Sequence, residues 1–126
     1  MWTLIFAFAE TLIASAGTVK DPVAIVEVKP GYSDEARRAR YEGDTFLSVD
    51  VDARGRPKNV RPVRPLGLGL DEEAIKALRQ WRFRPATKDG EPVEKTIFIE
   101  IDFRLSKKTK ARIVSRAASP PLYGDH

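Results

Sequence analysis

The stretch from about Glu94 to Leu105 limits the possible folds most sharply. Ile97, Ile99, Ile101, Phe103 and Leu105 fall on one face of an extended chain, and Phe98, Glu100, Asp102 and Arg104 fall on the other. That period of two belongs to a strand with one face against a core. A strand of this length must find partners for its backbone, and the sequence offers two. From Asp44 to Asp52, Thr45, Leu47, Val49 and Val51 alternate with Asp44, Ser48, Asp50 and Asp52, with Phe46 among the polar set. Ala53-Arg54-Gly55-Arg56 supplies a turn, and a further strand runs from about Lys58 to Arg64. Pro62 lies inside it and cannot donate to a ladder, which assigns that strand to an edge or turns the position outward.

Two helices complete the pattern. Ser33 is placed to cap one from Asp34 to Tyr41, with Asp34 and Glu35 in the first turn, arginines towards the end and Gly43 to stop it. Tyr32, Ala36 and Ala39 share its apolar face. Asp71 is placed to cap the second, in which Ala74, Ile75, Leu78 and Trp81 line one side. After it, Trp81 and Phe83 point inward while Arg82 and Arg84 point out, and Asp89-Gly90 makes a turn into the last strand. The order helix, strand, strand, helix, strand predicts an α+β fold: a three-stranded antiparallel sheet with two helices packed on one face. Tyr32, Leu47, Val49, Leu78, Trp81 and Phe83 are its expected core.

The 126 residues suit one domain with tails, and composition removes most catalytic chemistry. There is no cysteine, and the one histidine is the terminal His126. Thiolate zinc sites, cysteine nucleophiles and histidine acid–base work therefore lack their residues. No nucleophile or acid–base constellation stands out, so the chain reads as a non-enzyme needing no cofactor. The +4 charge is confined to the tail: residues up to 105 carry seventeen Lys or Arg against seventeen Asp or Glu. Residues 106–126 thus read as a basic, flexible tail, either simply solvated or touching acidic lipid or another polyanion.

Three suggestive features reduce to plainer readings. Asp44, Asp50 and Asp52 lie along a strand face, which does not wrap a metal ion. Leu66-Gly67-Leu68-Gly69-Leu70 lacks the Gly-Lys-Ser/Thr ending of a phosphate loop. The Trp81–Arg84 alternation with balanced charge argues against nucleic acid. At the other end, residues 1–16 are apolar apart from Glu10 and a few hydroxyls and close on Ala14-Ser15-Ala16. A signal peptide, a degenerate or truncated membrane anchor, and a helix packed on the domain all remain open for them. Residues 17–29 form a linker or lead-in strand.

What is left is backbone chemistry. The final strand is an edge candidate, and an exposed edge can accept an extended peptide. Here the sequence resembles the TonB C-terminal domain of periplasmic energy transducers. Pro30 and Tyr32 with Ala36-Arg37 are similar to its opening, although Ser33 stands where the family has proline. Gly43, the strand Thr45 to Val51, Asp52 and Gly55 match its next segment. Leu70-Asp71-Glu72-Glu73-Ala74, then Trp81 to Ala86, then Gly90-Glu91-Pro92-Val93, match its second helix, the exit from it and the turn that follows.

The resemblance covers about residues 30–105. It implies that the last strand lies at an edge and pairs with a short segment of TonB-dependent outer-membrane receptors, the TonB box, during nutrient import. By position, Lys95, Ile97, Phe98, Ile99, Glu100, Ile101, Asp102 and Phe103 would form that pairing strand. The resemblance also implies a periplasmic location, possible anchorage at the inner membrane and contact with proton-driven motor proteins there. A stand-alone envelope scaffold or homodimer is the alternative.

Overall fold

The computed structural model describes residues 18–114. The segment 1–16 and the tail beyond Val114 lie outside the described residues. The main sheet has four strands rather than the expected three. β3 (Gly43–Val51) and β4 (Pro57–Arg64) form a hairpin, β8 (Lys95–Phe103) lies on the far side of β3, and β9 (Lys110–Val114) flanks β8 in turn, all antiparallel. Smaller pairings surround it. β1 (Val19–Lys20) joins β6 (Ala86–Lys88), which joins β7 (Glu91–Val93), while β2 (Val23–Val26) joins β5 (Arg82–Arg84). The lead-in segment therefore contributes two short strands.

Among the described residues the helices are α1 (Asp34–Ala39) and α2 (Leu70–Leu78). Ser33 caps α1, its Oγ accepting from the Ala36 N–H at 3.1 Å. The helix ends earlier than its sequence suggests, because Arg40 takes the left-handed conformation (φ 53°) and Gly43 already belongs to β3. At α2, Gly69 is the cap residue and Asp71 sits inside the first turn. The Asp71 side chain turns back instead, accepting from the backbone N–H groups of Leu66 and Gly67 and from the Thr45 hydroxyl at 2.7–3.0 Å. One carboxylate thus closes the loop ahead of α2 and ties it to β3.

Both helices lie on the same side of the sheet. Ala36, Leu70, Ala74 and Leu78 meet Leu47, Val49, Val51, Ile97, Ile99, Ile101 and Phe103, with Trp81 and Phe83 closing one end. Tyr32 is partly buried against this cluster, its ring edge-on to Phe103 at 5.6 Å. The turn after β3 is fixed by Asp52, whose Oδ1 accepts from the Arg54 and Arg56 N–H groups at 2.9 Å. It is also joined to β5, since the Gly55 carbonyl accepts from the Phe83 N–H at 2.9 Å. A Cβ at Gly55 would stand 1.9 Å from the Phe83 carbonyl oxygen, so only glycine fits.

The opposite face carries no helix, yet it is not simply wet. Phe46, expected there as an exposed ring, is buried beneath the Arg64 guanidinium, which lies 4.3 Å from the ring centre. Phe98 is half-buried on the same face.

Candidate functional site

The two true edges of the main sheet are β4 and β9, and they differ in chemistry. β4 carries Pro57 and Pro62, its register with β3 is broken twice, and Asn59 has a positive φ of 48°. Prolines, bulges and charge are the usual means of blunting an edge. β9 has no proline and alternates Lys110, Ala111, Arg112, Ile113.

This arrangement corrects the expectation that the strand Lys95–Phe103 lies at an edge. Lys95–Phe103 is interior: all nine residues pair with β3, and Phe98–Asp102 pair on their other side with Val114–Lys110. Ile97, Ile99, Ile101 and Phe103 face the core, and Phe98, Glu100 and Asp102 sit half-buried on the open face. Lys95 reaches Asp21 at 2.8 Å. The segment Lys110–Val114, read from the sequence as flexible basic tail, supplies the edge. Its sequence signal was the alternation of basic and apolar residues, masked by the run of like charge around it.

Charge holds β9 down on the open face. Arg112 places Nη2 and Nε at 2.6 and 2.7 Å from Glu100 Oε1. Lys110 stands in register with Asp102, which in turn faces Asp44 across β3. Arg104 binds Asp102 through Nε at 2.8 Å and approaches Glu42 and Asp44 at 3.6 and 3.9 Å. Burial, the hydrogen bond with Asp102 and the charges of Asp102 and Glu100 push the Asp44 carboxyl up to about 6, against the opposing pull of Arg104. Asp102 moves the other way. Burial works to raise it, but hydrogen bonds from Asp44 and Arg104 and the Arg104 charge hold it below the ordinary carboxylate value. As pH falls through about 6, the first proton taken up by this pair therefore goes to Asp44. The loop from Phe103 to Lys110 is fastened at both ends, by the Leu105 N–H on Glu42 (2.8 Å) and the Arg104 N–H on the Thr109 hydroxyl (3.2 Å).

On the helix side, a cleft of about 170 Å³ opens beneath β9, between Val28, Pro30, Trp81, Thr109 and Ala111, with Glu27 and Lys29 at its rim. Trp81 is fixed there by its indole N–H, which donates to the Val28 carbonyl at 2.9 Å.

The remaining candidates for chemistry are spoken for. Asp50 accepts from Asn59 and Thr96, and Asp52 builds its turn. Among the described residues no group of three or more His, Cys, Asp or Glu is placed to hold a metal ion, and no helix is long and apolar enough to cross a membrane.

Residues 28–105 match the family described as the Gram-negative bacterial TonB protein C-terminal. The chain belongs to this family. Among relatives, "Protein TonB" of Vibrio cholerae is 32% identical over 100 residues, covering 73% of this chain and 41% of that protein. "Protein tonB2" of Pseudomonas aeruginosa is 32% identical over 94 residues, covering 74% and 33%. The TonB match therefore spans well under half the length of these relatives. The solution NMR structure of the Pseudomonas aeruginosa TonB CTD superposes with a TM-score of 0.57 at 21% identity, over 70% of this chain and 90% of that one. At that identity the TonB likeness in three dimensions concerns the fold.

Proposed function

We propose that this domain is the receptor-contacting end of a TonB-type energy transducer working in the periplasm. It holds an extended segment of a TonB-dependent outer-membrane receptor by strand addition along β8, in the place that β9 takes here. The observation that carries this reading is the inequality of the two flanks of β8: nine paired residues on β3, five on β9. A five-residue edge strand with one exposed ion pair on its open face is the replaceable partner. Backbone pairing needs no reactive side chain, in keeping with a chain that lacks cysteine and has one terminal histidine. The pull that the domain passes to its receptor comes, on this reading, from motor proteins of the inner membrane.

Proline at Ile99 cannot test this, because Ile99 is fully buried between two strands. The paired change Ala111→Pro/Arg112→Pro can. Successive residues of a strand direct their N–H groups to opposite sides, so one of the two prolines removes a bond to β8. Titration with a synthetic TonB-box peptide should then show tighter binding than to the unaltered chain. Unchanged or lost binding would overturn exchange at β8.

A second copy of the chain is the competing occupant. It is favoured by the exposed Val19, Val23, Ile25 and Val26 on β1 and β2. Sedimentation that stays monomeric at all accessible concentrations removes it.

A further inference from the structure

The cleft beneath β9 bears on which peptides would be accepted, an inference that rests on the strand-exchange reading. We propose that it is a side-chain subsite: an extended peptide lying along β8 is selected for a leucine- or isoleucine-sized residue at the position in register with Ile101. In the present pairing that position is Ala111. Cross-strand partners share a face, and Ile101 is fully buried on the helix side, so the Ala111 methyl points into the same layer. There it meets Trp81 and Val28 but fills little of the space, leaving about 170 Å³. A cavity of about 150 Å³ is enough to admit benzene.

The walls are pre-formed. Trp81 is fixed by its hydrogen bond to the Val28 carbonyl, and Pro30 stiffens the segment opposite. The neighbouring positions point the other way, over Asp102 and Glu100, where Lys110 and Arg112 now sit. The accepted pattern is therefore polar, aliphatic, polar. Alternation preserves it whether the peptide runs parallel or antiparallel to β8, because every second side chain falls on the cleft side in either case.

Blocked synthetic peptides copying Thr109–Val114, with glycine, alanine, leucine or aspartate at the position of Ala111, test this on the full chain. Binding is followed by titration calorimetry and by the Trp81 indole N–H resonance. The leucine peptide should bind about tenfold tighter than the alanine peptide, as expected for three extra carbons half-buried in an open cleft. It should also shift the indole resonance, with glycine weaker than alanine and aspartate weakest. Equal affinities for leucine and alanine, within twofold, would overturn the subsite while leaving strand exchange intact.

If no peptide binds, the tethered β9 outcompetes it, and the cleft is decided within the chain itself. Ala111→Leu should raise the hydrogen-exchange protection of the β9 amides about tenfold, and unchanged or lowered protection would overturn the inference.

Discussion

β8 makes an antiparallel ladder twice, and its two flanks are built from different materials. Towards β3 every residue from Lys95 to Phe103 has a partner, and the inward side chains of both strands are closed off by two helices. Towards β9 the ladder covers five residues, the inward side is Ala111 beside a partly empty cleft together with the exposed Ile113, and Arg112 on Glu100 is the one ion pair across it among the described residues. The β3 flank draws on the hydrophobic effect, which salt does not screen. The β9 flank adds to a shorter backbone ladder one exposed ion pair, which salt screens. A sheet can thus combine a permanent joint and a removable one on two sides of the same strand.

Substitutions on the two flanks should differ accordingly. Ile99→Ala empties a fully buried site on the permanent side and should cost about 4 kcal/mol in chemical denaturation, with no change in the denaturant dependence. A cost below about 1 kcal/mol would mean that the β3 joint is far looser than its burial implies. Asp71→Ala removes the carboxylate that ties β3 to the start of α2 and leaves the Leu66 and Gly67 N–H groups without their acceptor. It should cost about 3 kcal/mol by the same measurement.

On the removable side, Arg112→Glu places two carboxylates together, yet Arg112 is largely exposed, so the global cost should be no more than about 1 kcal/mol. The effect should instead be local. Amides of Lys110–Val114 should exchange faster while those of β3 do not, and equal acceleration in both would erase the distinction between the flanks.

The smallest effect concerns pH. Asp44 has a folded-state pKa of about 6, above its ordinary value of 3.8, so between those values the folded state binds the extra proton. The Asp44 contribution to stability is present below pH 4 and is lost as pH rises through 6. Asp44→Asn should therefore raise the thermal midpoint relative to the unaltered chain more at pH 7 than at pH 4. The reverse order would place the shared proton elsewhere.

Much of the architecture was legible because burial writes itself as periodicity. The alternations in 44–52 and 95–103 gave the β3–β8 pair, Pro62 marked an edge, and the arginines around Trp81 and Phe83 marked both rings as inward, Phe83 on β5 and Trp81 just before it. Where signals were local and polar, the reading slipped. Asp71 has the composition of a helix cap but spends its carboxylate on Thr45, a partner 26 residues away that only the tertiary fold supplies. Arg40 ends α1 in a conformation that sequence assigns to glycine.

The misplaced edge has the same origin. Lys110–Val114 carries one alternation of charge and apolarity inside a stretch of excess positive charge, and it pairs with β8 through a backbone ladder and an Arg112–Glu100 ion pair that no periodicity announces. Lys95–Phe103 was thus legible as a strand, and illegible as an interior one, because the strand that covers it looks like tail.

The unbroken register of β8 against β9 has a mechanical consequence. Tension applied along the axis of a strand seated beside β8 meets the ladder in shear, so several hydrogen bonds must rupture together instead of opening one after another from an end. Such a joint would open readily by fraying from its tip, yet resist being torn lengthwise.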